Sequence, residues 1–277
     1  MDLESLLPIN NNSQIVINTF KSTRIINSHS VELFEPNQLD LRISHRFGQL
    51  NGGLYELYGL DQAKVRVGFE YGLINNLMIG FGRSTYDKTY DGFLKVLLIQ
   101  QKKDSNFLPF SVVFFSNVAV NSLKKDLHTN SNGHSHAIKY PFQSRLSFSH
   151  QLLIASKINR KLSIQLMPSL VHFNMVEFMN QHNQSFLIGG GFRYLISKSI
   201  SINSEYFFRL NPSDYDKSNY NNSFSFGVDI ETGGHVFQLH LTNSMPMHES
   251  GFLTRTYGSW SEGGVHFGFN ISREFKL

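Results

Sequence analysis

Apolar and polar positions alternate with a period of two along most of the chain. From Asn222 to Glu231, Phe224, Phe226, Val228 and Ile230 fall on one face, with Ser223, Ser225, Gly227 and Asp229 on the other. Val65, Val67, Phe69, Tyr71 and Leu73 stand opposite Arg66, Gly68, Glu70 and Gly72. Near the C-terminus, Val265, Phe267, Phe269 and Ile271 stand opposite His266, Gly268, Asn270 and Ser272. Leu39, Leu41 and Ile43 oppose Asp40, Arg42 and Ser44, and Ile200, Ile202, Tyr206 and Phe208 oppose Ser201, Asn203, Glu205 and Arg209. Side chains of a strand point alternately to its two faces, so this pattern predicts strands with one apolar and one polar side.

The connections between these segments alternate as well. Short turns fall near Glu35–Gln38, Ile74–Asn76, Lys103–Asn106, Lys157–Arg160, Ser197–Ser199 and Thr232–Gly234. Longer ones lie between them: Gly48–Ala63, Thr85–Asp91, Asn121–Tyr140, Glu177–Asn183, Asn211–Asn221 and Ser244–Glu262. Hairpins whose two ends are sorted in this way match a membrane barrel, with short periplasmic turns and longer outer loops. Leu39 to Phe275 holds about 12 strands of roughly ten residues, the length a tilted membrane strand needs. The expected fold is all-β, an antiparallel up-and-down transmembrane β-barrel of about 12 strands (range 12–14). Residues 1–13 read as a flexible N-terminal segment and residues 14–277 as a single barrel domain. One further segment, Gln14 to Ser28, breaks the even parity; it enters the lumen, lies beside the wall or enlarges the count. Tyr55, Tyr58, Tyr71, Tyr86, Tyr90, Tyr140, Tyr194 and Tyr206 sit near strand ends, where aromatic girdles meet the membrane surface.

Composition sharpens this picture. Of the 277 residues, 40% are hydrophobic and 13% aromatic, but only 17% are charged. Mean hydropathy is nonetheless −0.22, because neutral polar residues and glycine fill the gap. That balance excludes a coiled coil or a disordered chain and suits a wall with a single wet side. No run approaches the ~20 apolar residues of a membrane helix; the longest, such as Val112–Phe115 and Leu152–Ala155, are strand-sized. A net charge of +4, with basic pairs only at Lys102–Lys103 and Lys124–Lys125, provides no clustered face for nucleic acid. The absence of cysteine removes disulfides, thiolate metal sites and a catalytic thiol. Met1 to Ser13 has neither the basic nor the apolar region of an export signal. The expectation is therefore a chain of the cell outer membrane, its signal peptide already removed.

Several segments carry a family likeness. Arg42-Ile43-Ser44-His45-Arg46-Phe47-Gly48, Glu70-Tyr71-Gly72, Gly82-Arg83-Ser84, Tyr90-Asp91-Gly92-Phe93 and the closing His266-Phe267-Gly268-Phe269-Asn270-Ile271-Ser272-Arg273 are its carriers. As a set they resemble an uncharacterised family of bacteroidete-type outer-membrane β-barrel proteins, from about Thr19 onward. The resemblance implies an outer-membrane barrel with a cleaved signal sequence. It implies no settled activity, so no catalytic residue carries over.

Candidate chemistry lies on the polar face. Arg42, Arg46, Arg66, Glu70, Glu205 and Arg209 would project into the lumen and meet as ion pairs. They form either a selectivity element or binding site for an anionic solute, or a packed polar core in which the charges neutralise one another. The inward glycines Gly68, Gly72, Gly80, Gly82, Gly189 and Gly191 leave room for a narrow pore or for a large side chain opposite. His128, His134 and His136 are possible zinc or copper ligands, but their connection is rich in Asn, Ser and Gly, so a solvated loop is expected. Ser147-Phe148-Ser149-His150 is no dyad, because serine and histidine point to opposite faces. Ser244–Glu262, with Met245, Pro246, Met247, Phe252, Leu253, Tyr257 and Trp260, reads as an outer loop over the mouth, a partner-docking loop or a cover for its own strand ends. Gly48–Ala63, with Leu54, Tyr55, Leu57, Tyr58 and Leu60, reads as a short helix capping the same mouth.

The reading is a porin-like channel or a structural or assembly component, not an enzyme, with no cofactor. Its partners are the outer-membrane bilayer and a protein at the outer loops. A soluble lipocalin-like barrel that binds a small ligand would instead point apolar residues inward. A membrane-embedded enzyme would need a clustered nucleophile and base. Detergent should be required for extraction, and the folded protein should migrate differently on a gel before and after boiling. A protein that stays soluble without detergent and does not shift overturns the membrane reading.

Overall fold

The computed structural model describes residues 15–103, 108–123, 127–129, 135–137, 141–232 and 235–277. The barrel strands are β1 (Gln38–Gln49), β2 (Ala63–Ile74), β3 (Leu77–Ser84), β4 (Tyr90–Ile99), β5 (Ser111–Val120) and β6 (Leu146–Lys157). They continue as β7 (Leu162–Phe173), β8 (Gln184–Leu195), β9 (Ile200–Arg209), β10 (Phe224–Thr232), β11 (His235–Thr242) and β12 (His266–Lys276). Each pairs antiparallel with its sequence neighbours, and β1 closes the ring on β12 through pairs such as Ser44↔Asn270. A two-stranded ribbon, Leu127–Thr129 with Ser135–Ala137, lies in the β5–β6 connection. Closure matters because no backbone group facing hydrocarbon can turn to water for a partner.

The alternation in sequence becomes the two faces of this wall. Phe69, Phe81, Ile188, Phe208, Phe226 and Leu239 are exposed on the outside, where lipid would cover them. Their neighbours Gly68, Glu70, Gly82, Phe207, Arg209, Ser225 and Gln238 are buried inside. This is the reverse of a lipocalin-like barrel, whose interior is apolar. Tyr90, Tyr194 and Tyr206 lie exposed near strand ends, as a girdle requires, while Tyr140 is outside the described residues.

The expected sorting holds for nine of the eleven connections; Ile99 to Ser111 is a longer link at the short-turn end, and Ser84 to Tyr90 a short one at the other. Strands pass directly across Ile74 to Leu77, Lys157 to Leu162, Leu195 to Ile200 and Thr232 to His235 at one end. At the other end the connections run from Gln49 to Ala63, Val120 to Leu146, Phe173 to Gln184, Arg209 to Phe224 and Thr242 to His266. Two of these carry short helices, α1 (Asp214–Asn219) and α2 (Glu249–Thr254). Ser213 caps α1 by accepting a bond from the Asp216 amide at 3.2 Å, and Asp216 reciprocates toward Ser213.

The extra segment before β1 pairs briefly with the β4–β5 connection, Ile15 opposite Lys102, and then enters the lumen. From Thr19 to Phe34 the chain fills the lumen as an irregular hairpin that enters from the short-turn end. Ser30 N donates to Thr23 O and Ile25 N to Ser28 O, each at 2.9 Å, which turns the tip back on itself. Phe20 and Ile25, Ile26, Val31 and Phe34 pack against Met78, Phe93, Phe115, Met167 and Phe207 of β3 to β9. This apolar half explains the runs Val112–Phe115 and Leu152–Ala155: their strands are covered by lipid outside and by the hairpin inside.

Phe69, in the middle of β2, reports on the outer face. Phe69→Arg should cost about 2–4 kcal/mol of stability, read by denaturant unfolding in lipid vesicles. A change near zero would mean that this face does not meet hydrocarbon.

Candidate functional site

All six charges expected on the polar face do lie in the lumen, each 7% exposed or less. They do not mainly neutralise one another, which corrects the expectation of mutual ion pairs. Only Arg42 and Glu70 approach as a pair within the set, at 3.7 Å. Arg66 instead forms a two-pronged bond with Asp91 of β4, its Nε at 2.9 Å. Arg209 pairs with Asp216 of α1 at 3.2 Å and donates to the Thr254 carbonyl of α2. Asp91 belonged to a motif, but alternation alone did not single it out as a partner for Arg66.

The other four charges hold the hairpin. Glu205 accepts from three successive backbone amides, Ile26 at 3.3 Å, Asn27 at 2.8 Å and Ser28 at 3.1 Å, and from the Ser28 hydroxyl at 2.6 Å. Arg42 donates to Ser22 Oγ at 2.8 Å and Thr23 Oγ1 at 3.1 Å. Arg46 donates to the side chain of Asn27. Glu70 accepts from Thr23 Oγ1 at 2.6 Å and from Arg24 Nε at 3.3 Å.

More wall residues join them. Gln238 donates to Ile25 O at 2.9 Å, Asn270 to Ile26 O at 3.1 Å and Gln165 to His29 O at 2.7 Å. Arg193 reaches Thr19 O at 3.0 Å, Lys157 reaches Ile17 O at 2.9 Å, and Lys95 donates to Glu32 O. Nothing in the sequence marks these residues apart from their inward position, because their partners are backbone atoms.

A second element enters from the outer end. The Thr242–His266 connection folds inward, and all of α2 is buried. Phe252 packs against Phe207, with ring centres 5.7 Å apart, and Ser250 Oγ lies 2.8 Å from Ser147 Oγ. The loop therefore fills the mouth, going further than a cover for its own strand ends. At the centre the two elements meet: Arg24 Nη1 bonds Glu249 Oε1 at 3.2 Å while its Nε holds Glu70. Burial raises Glu249 above the ordinary glutamate range, against the pull of Arg24. Burial also pushes His248, next to it, down to about 4, so that ring is neutral at physiological pH.

The inward glycines make space for large side chains, not for a pore. A Cβ at Gly80 would strike the Phe93 ring, at Gly82 the Arg66 guanidinium, and at Gly189 the Phe207 ring. At Gly191 it would meet Ile25 of the hairpin at 2.7 Å. The Gly48–Ala63 loop does not cap the mouth as expected. It is a kinked 3-10 segment, Leu50–Gly59, and Leu54 and Tyr55 are 76% and 94% exposed.

No metal-binding group occurs among the described residues. His134 lies outside them; His128 and His136 are register partners in the loop ribbon, with side chains outside the described set. His150 faces outward, with Nδ1 3.0 Å from Ser116 Oγ on β5. Ser147 and Ser149 face the lumen, so the serines and His150 stay on opposite faces.

A closed wall with a lipid-ready exterior and a filled polar lumen defines a membrane-spanning β-barrel of the outer-membrane type. Residues 20–275 match the membrane bound beta barrel domain family (DUF5777), and the chain belongs to that family. A KdgM porin in complex with disordered oligogalacturonate is similar in structure, with 10% identity, 86% of this chain and 99% of that chain covered, and a TM-score of 0.50. A second KdgM porin structure is 11% identical over 86% and 99% of the two chains, with a TM-score of 0.49. The outer membrane protein Omp33 of Acinetobacter baumannii is 6% identical over 86% and 98%, with a TM-score of 0.41. A comparison with curated proteins finds no match.

The Arg66–Asp91 pair can be tested alone. Asp91→Ala leaves a buried guanidinium without its carboxylate and should cost about 3–5 kcal/mol in denaturant unfolding. Replacing both residues by apolar ones of similar volume should cost less. Equal losses for the single and double variants would mean that the pair is solvated.

Proposed function

We propose that this protein is a porin-like barrel of the outer membrane, held closed by its own N-terminal hairpin and by α2 of the outer loop. The chain reaches that membrane after removal of an export signal. The observation that carries this reading is Arg24, buried at the centre and shared between Glu70 of the wall and Glu249 of α2. Arg24 joins the elements that enter from the two ends, with His29 of the hairpin also 3.4 Å from Glu249. Passage of a solute requires them to part, and the wall then exposed carries Arg42, Arg46, Glu70 and Glu205. The role is passage and not catalysis, with the arginines acting on solute charge.

A static reading has support of its own, in the apolar packing of the hairpin against β3 to β9. Conductance across planar bilayers separates the two. The wild-type barrel should be closed most of the time. Arg24→Ala and Glu249→Ala each remove a charge-assisted bond worth about 1.5–3 kcal/mol, so openings should become roughly ten- to a hundredfold more frequent. In the opened variants, Arg42→Ala with Arg46→Ala should shift selectivity toward cations. No current from any of these proteins, each confirmed as folded by its heat-modifiable migration, would leave a structural barrel.

A further inference from the structure

The wall holds the hairpin through its main chain and its side chains alike. Wall side chains bond the amides of Ile26, Asn27 and Ser28 and the carbonyls of Ile17, Thr19, Ile25, Ile26, His29 and Glu32. Polar side-chain contacts fall at Lys21, Ser22, Thr23, Arg24, Asn27 and Ser28, and Phe20, Ile25, Ile26, Val31 and Phe34 pack into the apolar half of the wall. The hairpin has few backbone bonds of its own, so wall side chains replace the ladder that a sheet would provide. Main-chain groups are the same in every polypeptide, so they hold the backbone in place while the pockets for side chains select the segment.

We infer that the lumen is a binding site for a polypeptide hairpin, held by its main chain together with an apolar stem and an arginine and an asparagine at the turn. The chain's own Thr19–Phe34 occupies it in the closed state. The same segment of a second copy, presented in trans, takes that place when it leaves. The inference rests on the closed-barrel reading only in requiring that the hairpin can be released.

The test uses the full chain. A specific protease site is inserted in the turn Glu35–Asn37, where Glu35 and Asn37 are exposed, and the protein is folded before it is cut. A fluorescent synthetic peptide of residues 15–36 is then added to the cut barrel, and binding is read by anisotropy. The peptide should exchange into the barrel, and Glu205→Ala in the wall should weaken it about tenfold or more. An unlabelled peptide that keeps Phe20, Ser22 to Ser28, Val31 and Phe34 and is scrambled at its other positions should compete within about tenfold of the native sequence. A native-sequence peptide N-methylated at Asn27 and Ser28, which keeps its side chains but loses two N–H donors, should compete at least tenfold worse.

No exchange over days, equal competition by the methylated peptide, or a scrambled peptide more than about a hundredfold worse would each overturn the inference. Conductance of the same cut barrel keeps the two readings apart. Peptide binding without current defeats the channel and leaves the peptide site. Current that the peptide neither binds nor blocks defeats the peptide site alone.

Discussion

A buried stretch of chain without helix or sheet must have its amides and carbonyls answered from outside, and in this barrel that demand shapes the lumen. Each such group left unpaired costs about 1–3 kcal/mol, so a smooth polar wall of serines would not retain the hairpin. The wall instead brings long donors and a carboxylate to the places where the main chain passes. Gln165, Gln238 and Asn270 donate to carbonyls, and Glu205 gathers three amides. Lys95 and Arg193 reach the carbonyls nearer the entrance. The inward polar residues are thus explained by geometry toward a backbone more than by charge balance.

The same demand accounts for the asymmetry of the interior. Where the hairpin turns, it presents many unpaired backbone groups, and β9 to β12 with β1 and β2 answer with polar side chains. Where its stem presents Phe20, Val31 and Phe34, β3 to β9 answer with phenylalanine, methionine and leucine. Glycines at Gly80 and Gly189 let the Phe93 and Phe207 rings lie flat against the wall. Removing the hairpin would therefore expose an apolar stripe as well as a set of charges. A barrel evolved only to be wet inside has no reason to carry that stripe.

Much of this was legible in the sequence, because alternation and connection length are local signals. They define the strands, their inward and outward residues and the two ends, and the six charged candidates are all inside. What could not be read is where those charges find partners. Glu205 and Arg42 bond a segment far away in sequence, and much of that bonding involves backbone atoms, which leave no trace in residue identity. Ile15–Ser28 is neither strand nor helix, so no periodicity in the sequence places it. A clue lay in Val112–Phe115 and Leu152–Ala155, which break the alternation by being apolar on both faces. In a membrane strand that pattern requires an apolar neighbour inside. The Gly48–Ala63 loop misled because its leucines and tyrosines suggested a buried cap, whereas they lie exposed.

The central junction also couples the two ends of the barrel. A buried ion pair contributes little net stability, but separating it leaves charges that cannot easily be stranded in the interior. Glu249 has Arg24 as its one guanidinium partner within 4 Å among the described residues. If the hairpin withdraws toward the short-turn end, it takes Arg24 with it and leaves Glu249 buried near the Arg66–Asp91 pair and the neutral His248. That arrangement favours outward movement of α2, whose retention then rests on Phe252, Ser250 and the Arg209 bond to Thr254. The hairpin and α2 are thus joined at one carboxylate, Glu249, which Arg24 reaches at 3.2 Å and His29 at 3.4 Å.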